Sequence, residues 1–75
     1  MKEIIQIIAK SLVDYPEQVE VTERKEGNTI FLELHVADTD MGKVIGKQGR
    51  VAHAMRTVLK AAAVKENCRV ELAII

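Results

Sequence analysis

Residues 40–50 read DMGKVIGKQGR, and the fold turns on how this stretch is read. Gly46 and Gly49 interrupt an otherwise helical run. Ahead of them, MGKVI forms a short helix behind Asp38-Thr39-Asp40, whose oxygens suit an N-cap. Beyond them, Arg50 to about Val64 carries apolar residues at helical spacing. Val51, Met55, Val58, Leu59 and Ala62 fall on one face, with Arg50, His53, Arg56 and Lys60 opposite. The stretch predicts two helices joined at Gly46-Lys47-Gln48-Gly49.

Outward from this pair, the pattern changes period. Residues 29–36 alternate, with Ile30, Leu32, Leu34 and Val36 on one side and Phe31, Glu33 and His35 on the other. Val19 and Val21 alternate with Glu20 and Thr22 in the same way. Glu26-Gly27-Asn28 between them is a turn signal, so the two strands form an antiparallel hairpin. On the C-terminal side, Lys65-Glu66-Asn67 is a short loop. A third strand follows, with Cys68, Val70, Leu72 and Ile74 inward and Arg69, Glu71 and Ala73 outward. At the N-terminal end, residues 3–13 place Ile4, Ile8 and Leu12 on one helical stripe, widened by Ile5 and Ile7. Pro16 stops that helix.

The order is α-β-β-α-α-β over one domain, residues 1–75. Each strand has one apolar face, which predicts a two-layer α+β fold with helices on one side of the sheet only. A helical crossover separates the second strand from the third, so those two run parallel and the three-stranded sheet is mixed.

The formal net charge is zero, yet the charges are segregated. Residues 41–65 hold Lys43, Lys47, Arg50, Arg56, Lys60 and Lys65 and no acid, a local charge of +6. The remainder carries −6. A neutral sum thus conceals a dipolar chain whose basic side suits an anion. The same basic side is also what short helices with solvated Lys and Arg look like.

At the Gly46–Gly49 turn, glycine lets the backbone adopt positive φ and approach a ligand closely. The next helix starts there, presenting unpaired N–H groups and the positive end of its dipole. With Lys47 and Arg50 alongside, this is a cradle for a phosphate. The bland alternative is a plain helix–helix corner with a glycine cap. Nucleotide-enzyme motifs fit poorly. A Walker loop needs four residues between its glycines and then Lys and a hydroxyl residue; Gly42 and Gly46 enclose three, and Gln48 follows Lys47. No G-x-G-x-x-G is present. No nucleophile–base pair or acid–base constellation is visible, so no enzyme, cofactor or metal site is expected. His35 lacks companion ligands for a metal, and Cys68 reads as a small core hydrophobe.

The element order, with VIGKQGR at the helix–helix turn and AMRTVLKAAAVKE after it, resembles the KH RNA-binding domain in its bacterial, type II topology. Over the whole chain it is most similar to the small single-KH proteins of the KhpA-like family. That resemblance implies single-stranded RNA as the ligand, with about four nucleotides clamped at the G-x-x-G turn. It implies an RNA chaperone or post-transcriptional regulator. The carried-over RNA-binding residues are Val44, Ile45, Gly46, Lys47, Gln48, Gly49 and Arg50; Lys43 and His53, on the basic side of the chain, join them as candidate RNA contacts. It also implies a second KH-containing protein as a partner. One departure stands out: KH motifs often have Ile three residues after the second glycine, and Ala52 occupies that place, which implies a shallower apolar groove.

Size and composition add three expectations. A chain of 75 residues has little core to spare, so a weak homodimer through the helix pair, at Met41, Val44 and Ile45 beside Gly42, Gly46 and Gly49, is expected. That dimer competes with RNA for one surface. A dimerisation module with RNA binding secondary is the alternative function. Tyr15 and Phe31 are the only aromatics, too few for a base-stacking platform. A single cysteine, no long apolar run and no secretion signal point to the cytoplasm rather than a membrane.

Overall fold

A computed structural model describes residues 1–75. Six main elements follow in order: α1 (Lys2–Leu12), β1 (Glu20–Glu26), β2 (Thr29–His35), α2 (Met41–Ile45), α3 (Arg50–Lys65) and β3 (Arg69–Ile74). Short 3₁₀ turns at Pro16–Gln18, Asp38–Asp40 and Lys47–Gly49 link them. The predicted α-β-β-α-α-β order holds, and the molecule is a two-layer α+β fold.

The three strands lie in the order β1-β2-β3. β1 and β2 are antiparallel, with Val21 opposite Leu34 and Glu26 opposite Thr29. Gly27 closes this hairpin at φ +59, a conformation that costs glycine nothing. β2 and β3 are parallel, with Ile30 beside Val70, Leu32 beside Leu72 and Leu34 beside Ile74. The expected mixed sheet is therefore present.

Alternation puts Ile30, Leu32, Leu34 and Leu72 under the helices, where they join Ile5, Ala9, Val21, Val44, Met55 and Leu59 in one core. The opposite sheet face carries Thr22, Phe31 and Glu33 toward solvent, with the Arg24 guanidinium 4.7 Å from the Phe31 ring centre. The inward face of β1 is apolar only at its start. Val21 is buried, whereas Glu23 and Lys25 are exposed, so the far end of β1 is uncovered while Ile30 opposite Lys25 stays in the core.

Two helix faces differ from the sequence expectation. α1 buries Ile5 and Ala9, while Ile7 is 67% and Leu12 40% exposed. α3 buries Ala52, Met55, Leu59 and Ala63, while Val58 is 46% exposed. In each helix alanines share the buried line with large residues, Ala9 beside Ile5 in α1 and Ala52 and Ala63 beside Met55 and Leu59 in α3. Val51, at the start of α3, is half-buried and packs against this core.

Candidate nucleic-acid interface

Three consecutive backbone features make the turn between α2 and α3. Gly46 ends α2 at φ 78, ψ 174, a region essentially closed to residues with a Cβ. Gln48 is left-handed at φ 58, ψ 25, an unusual state for a side-chain-bearing residue. Gly49 follows at φ 74, ψ 15 and stands immediately before α3. The Gly46 N–H donates to Gly42 O at 2.8 Å and the Gly49 N–H to Gly46 O at 3.1 Å. The chain thus reverses within four residues and points the start of α3 outward.

The two glycines have different roles. A Cβ on Gly46 would sit 2.5 Å from Val51 Cγ2 and 2.9 Å from the Val51 backbone nitrogen. Val51 fills the space behind the turn while also packing against the core. A Cβ on Gly49 would meet open space, so that position is constrained by φ alone.

Around this turn the expected site residues divide into two groups. Lys47, Gln48, Arg50 and His53 are exposed, and Ile45 is 37% exposed. Arg50 Nη2 donates to Gln48 Oε1 at 3.3 Å, which bends the guanidinium back over the turn. His53 lies one helical turn beyond Arg50 on the same side. Val44 and Lys43 belong to the second group. Val44 is fully buried in the core, so it supports the turn from beneath. Lys43 Nζ is already partnered by Asp14 Oδ2 at 2.8 Å and Asp40 Oδ1 at 3.4 Å. Of the six bases between Met41 and Lys65, Arg56 is also engaged: its Nε and Nη2 both donate to Leu72 O, at 3.3 and 3.2 Å.

The partner of Lys43 is a residue that sequence reasoning placed differently. Asp40 was expected to help cap α2, and it makes no side-chain cap bond there. Instead its carboxylate is fully buried and accepts the backbone N–H of Asp14 at 3.1 Å and of Tyr15 at 3.0 Å. Asp14 and Tyr15 lie just beyond α1, and the one carboxylate satisfies both of their N–H groups with charge-assisted bonds. Burial pushes the Asp40 carboxyl up, but the two N–H donors and the Lys43 ammonium outweigh it and hold the carboxyl below the usual aspartate value. Lys43 is held above the usual lysine value, chiefly by its bond to Asp14. This cluster pins the start of α2, and hence the turn, to the end of α1. The Asp40–Lys43 spacing was a legible hint; the Asp14 and Tyr15 partners, more than twenty residues away, were not.

A helix–turn–helix with positive-φ glycines, laid across a mixed three-stranded sheet, is the architecture of a KH domain in its type II order. Residues 2–74 match the family described as "KhpA/KhpB, KH domain". The chain is 63% identical over 75 residues to the RNA-binding protein KhpA of Clostridium acetobutylicum, covering all of both chains. The RNA-binding protein KhpA of Clostridium perfringens gives the same 63% over the whole of both. That of Caldanaerobacter subterraneus subsp. tengcongensis is 57% identical, again end to end. No solved structure gives a significant match. The chain belongs to the KhpA/KhpB family of KH domains.

Proposed function

We propose that this chain, as one KH unit over residues 1–75, binds single-stranded RNA without catalysis and acts as an RNA chaperone or post-transcriptional regulator. The observation that carries the reading is the exposed Lys47-Gln48 pair, held between two positive-φ glycines at the N-terminus of the sixteen-residue α3. Free N–H groups and the helix dipole favour a phosphate there, and Lys47 and Arg50 add mobile charge. Ile45 and His53 flank the turn and meet the sugar or base. Lys43 and Val44 serve the site by fixing its shape. Relatives named as RNA-binding proteins at 57–63% identity support the same reading. A reducing cytoplasm suits the free Cys68, and no helix is long and apolar enough to cross a membrane.

The test is a charge reversal. Both side chains are exposed, so the Lys47→Asp, Gln48→Asp double variant keeps its fold. Its affinity for a single-stranded RNA oligonucleotide falls at least tenfold, about 1.4 kcal/mol. A folded double variant with an unchanged dissociation constant rejects the phosphate cradle. Salt provides a second readout. Contact with about three phosphates gives a slope of log K against log salt near −2, whereas a slope near zero removes the basic stretch from the interface.

The proposal includes a weak homodimer. Ile45 leaves apolar surface beside Gly42 and Gly46, and a small fold gains from burying it. The buried Val44 is not free to contribute, which keeps the patch small. Because Ile45 serves both surfaces, RNA shifts the chain toward monomer in sedimentation. The family description joins KhpA with KhpB, which supports a second KH-containing protein as a partner.

A further inference from the structure

Helices cover one face of the sheet and leave the other bare. Strand register fixes what the bare face carries. Its charged residues are Glu20, Glu26, Glu33 and Glu71 against Arg24 and Arg69, four acids to two bases. Arg24 is already committed, since its guanidinium lies over the Phe31 ring and pairs with Glu26. Glu33 has only the His35 ring nearby, at 4.0 Å, and Glu20 and Glu71 enter no ion pair. Three carboxylates on this face therefore lack a lysine or arginine partner.

Among these acids stand Phe31, half-buried on the central strand, and the exposed Ala73. Phe31 is beside Glu71 in register and Ala73 beside Glu33. The chain's one phenylalanine thus lies on the solvent side of the sheet and outside the core. A shallow cavity of about 370 Å³ opens over Thr22, Arg24, Phe31 and Glu33. The face combines a small apolar centre with a negative surround, which is complementary to an apolar stripe flanked by cations.

We propose that this face docks a basic amphipathic helix of another protein, lying along β2 as a third layer. Its apolar stripe covers Phe31 and Ala73, and its lysines and arginines reach Glu20, Glu33 and Glu71. The dimensions agree. β1 and β2 have seven residues each, about 23 Å at 3.3 Å per residue, and a helix of about fourteen residues spans about 21 Å. Strands spaced by about 4.8 Å set β1 and β3 about 10 Å apart, the width of one helix. Cations on either side of the stripe then stand over the two outer strands. RNA is disfavoured, because a net negative face repels phosphate and the single ring already has Arg24 over it. A second copy fits less well. Its own basic residues lie around the nucleic-acid turn, and Lys43 and Arg56 are already bonded within the chain. The turn belongs to the helical layer and the docking face to the opposite side of the sheet, so the chain holds partner and RNA together. The inference stands apart from the RNA reading and survives its failure.

The experiment titrates the isotope-labelled full chain with the peptide acetyl-(Leu-Lys-Ala-Leu-Arg-Ala-Lys)₂-amide and follows backbone amides and the Phe31 ring by NMR. Salt is held at about 0.15 M, which screens each face from the charges of the other. The expected result is movement of the Phe31 ring and of the Thr22, Glu33 and Ala73 amides, while the Lys47 and Gln48 amides stay in place. The acidic peptide acetyl-(Leu-Glu-Ala-Leu-Asp-Ala-Glu)₂-amide binds the unaltered chain at least tenfold more weakly. Proline at the two middle alanines of the basic peptide breaks its helix and weakens binding at least fivefold. Glu20→Lys with Glu33→Lys, both exposed, weakens it at least tenfold and leaves affinity for octa-uridylate within twofold. Static outer-face signals at a peptide concentration of about 1 mM overturn the proposal, since binding weaker than that is not recognition. Equal binding of the acidic or the proline peptide overturns it as well. If concentrating the chain alone moves these signals, the occupant is a second copy and the proposal falls. It falls too if octa-uridylate moves them and the peptide does not. Failure of octa-uridylate to move Lys47 and Gln48 counts against the RNA reading alone.

Discussion

Gly46→Ala is expected to destabilise the fold by about 3–5 kcal/mol, summing backbone strain and overpacking against Val51. The added methyl meets Val51 Cγ2 at 2.5 Å and the Val51 backbone nitrogen at 2.9 Å. The side chain can shift; the backbone nitrogen at the start of α3 cannot without moving the helix. A domain of this size has roughly 4–11 kcal/mol in total, so the variant is largely unfolded at 37 °C or melts at least about 15 °C lower. Gly49→Ala is the control. Its Cβ meets nothing within 4 Å, so only the left-handed φ of +74 is charged against it, about 1–2 kcal/mol. Combining Gly46→Ala with Val51→Ala recovers part of the loss, because the contact to Cγ2 disappears while Val51 Cβ and the backbone nitrogen stay at 2.9 Å. Denaturant titration of the four proteins measures all of this. A Gly46→Ala protein within about 1 kcal/mol of the parent contradicts the account, since the turn geometry alone should cost more.

Asp40→Ala is the second large effect. It strands the Asp14 and Tyr15 N–H groups and removes one of the two carboxylates on Lys43, at a fully buried point. A melting temperature lowered by roughly 10 °C is expected, with Asp40→Asn intermediate because one acceptor oxygen remains. The same carboxylate gives a pH dependence whose sign is fixed. Its folded pKa lies below the ordinary 3.8, so the folded chain binds this proton less readily than the unfolded one. Its contribution is complete above the unfolded value and is lost as pH falls through the folded one. Stability is thus level in this respect from pH 5 to 8 and declines below about pH 4. In Asp40→Ala the acid-side decline is shallower. Identical acid slopes in the two proteins show that Asp40 does not carry the effect.

Local pattern in the sequence marked the elements well, because strands and helices announce themselves by period. Residues 29–36 alternate cleanly, and β2 spans Thr29–His35. The G-x-x-G turn was legible because glycine takes positive φ between two helices at the least cost. What escaped was set by partners distant in sequence. The α3 face was misjudged by weighting Val58 over Ala52, since volume along a periodic stripe does not say how close the helix will lie to the sheet. Arg56 reads from sequence as a base that steers an anion or is simply solvated, because its acceptor is a backbone carbonyl sixteen residues away on a free edge. Lys43 was counted as available charge, although it is held by Asp40 three residues before it and by the distant Asp14.

The mixed sheet also bears on the order in which the molecule forms. The β1–β2 hairpin closes over two residues at Gly27 and Asn28, an event of roughly 1–10 μs. The parallel β2–β3 ladder cannot close until the whole span through α2 and α3 has been drawn in, and that longer loop costs more entropy. The Gly46–Gly49 turn lies inside that span. Folding therefore nucleates away from the nucleic-acid surface and completes it last. Substitutions in the hairpin core, such as Val21→Ala or Ile30→Ala, slow folding, while Val51→Ala mainly speeds unfolding. Loop closure thus favours pairing of the acidic hairpin before the basic turn is docked on the sheet, so competence to hold RNA is expected to arise late on the folding route.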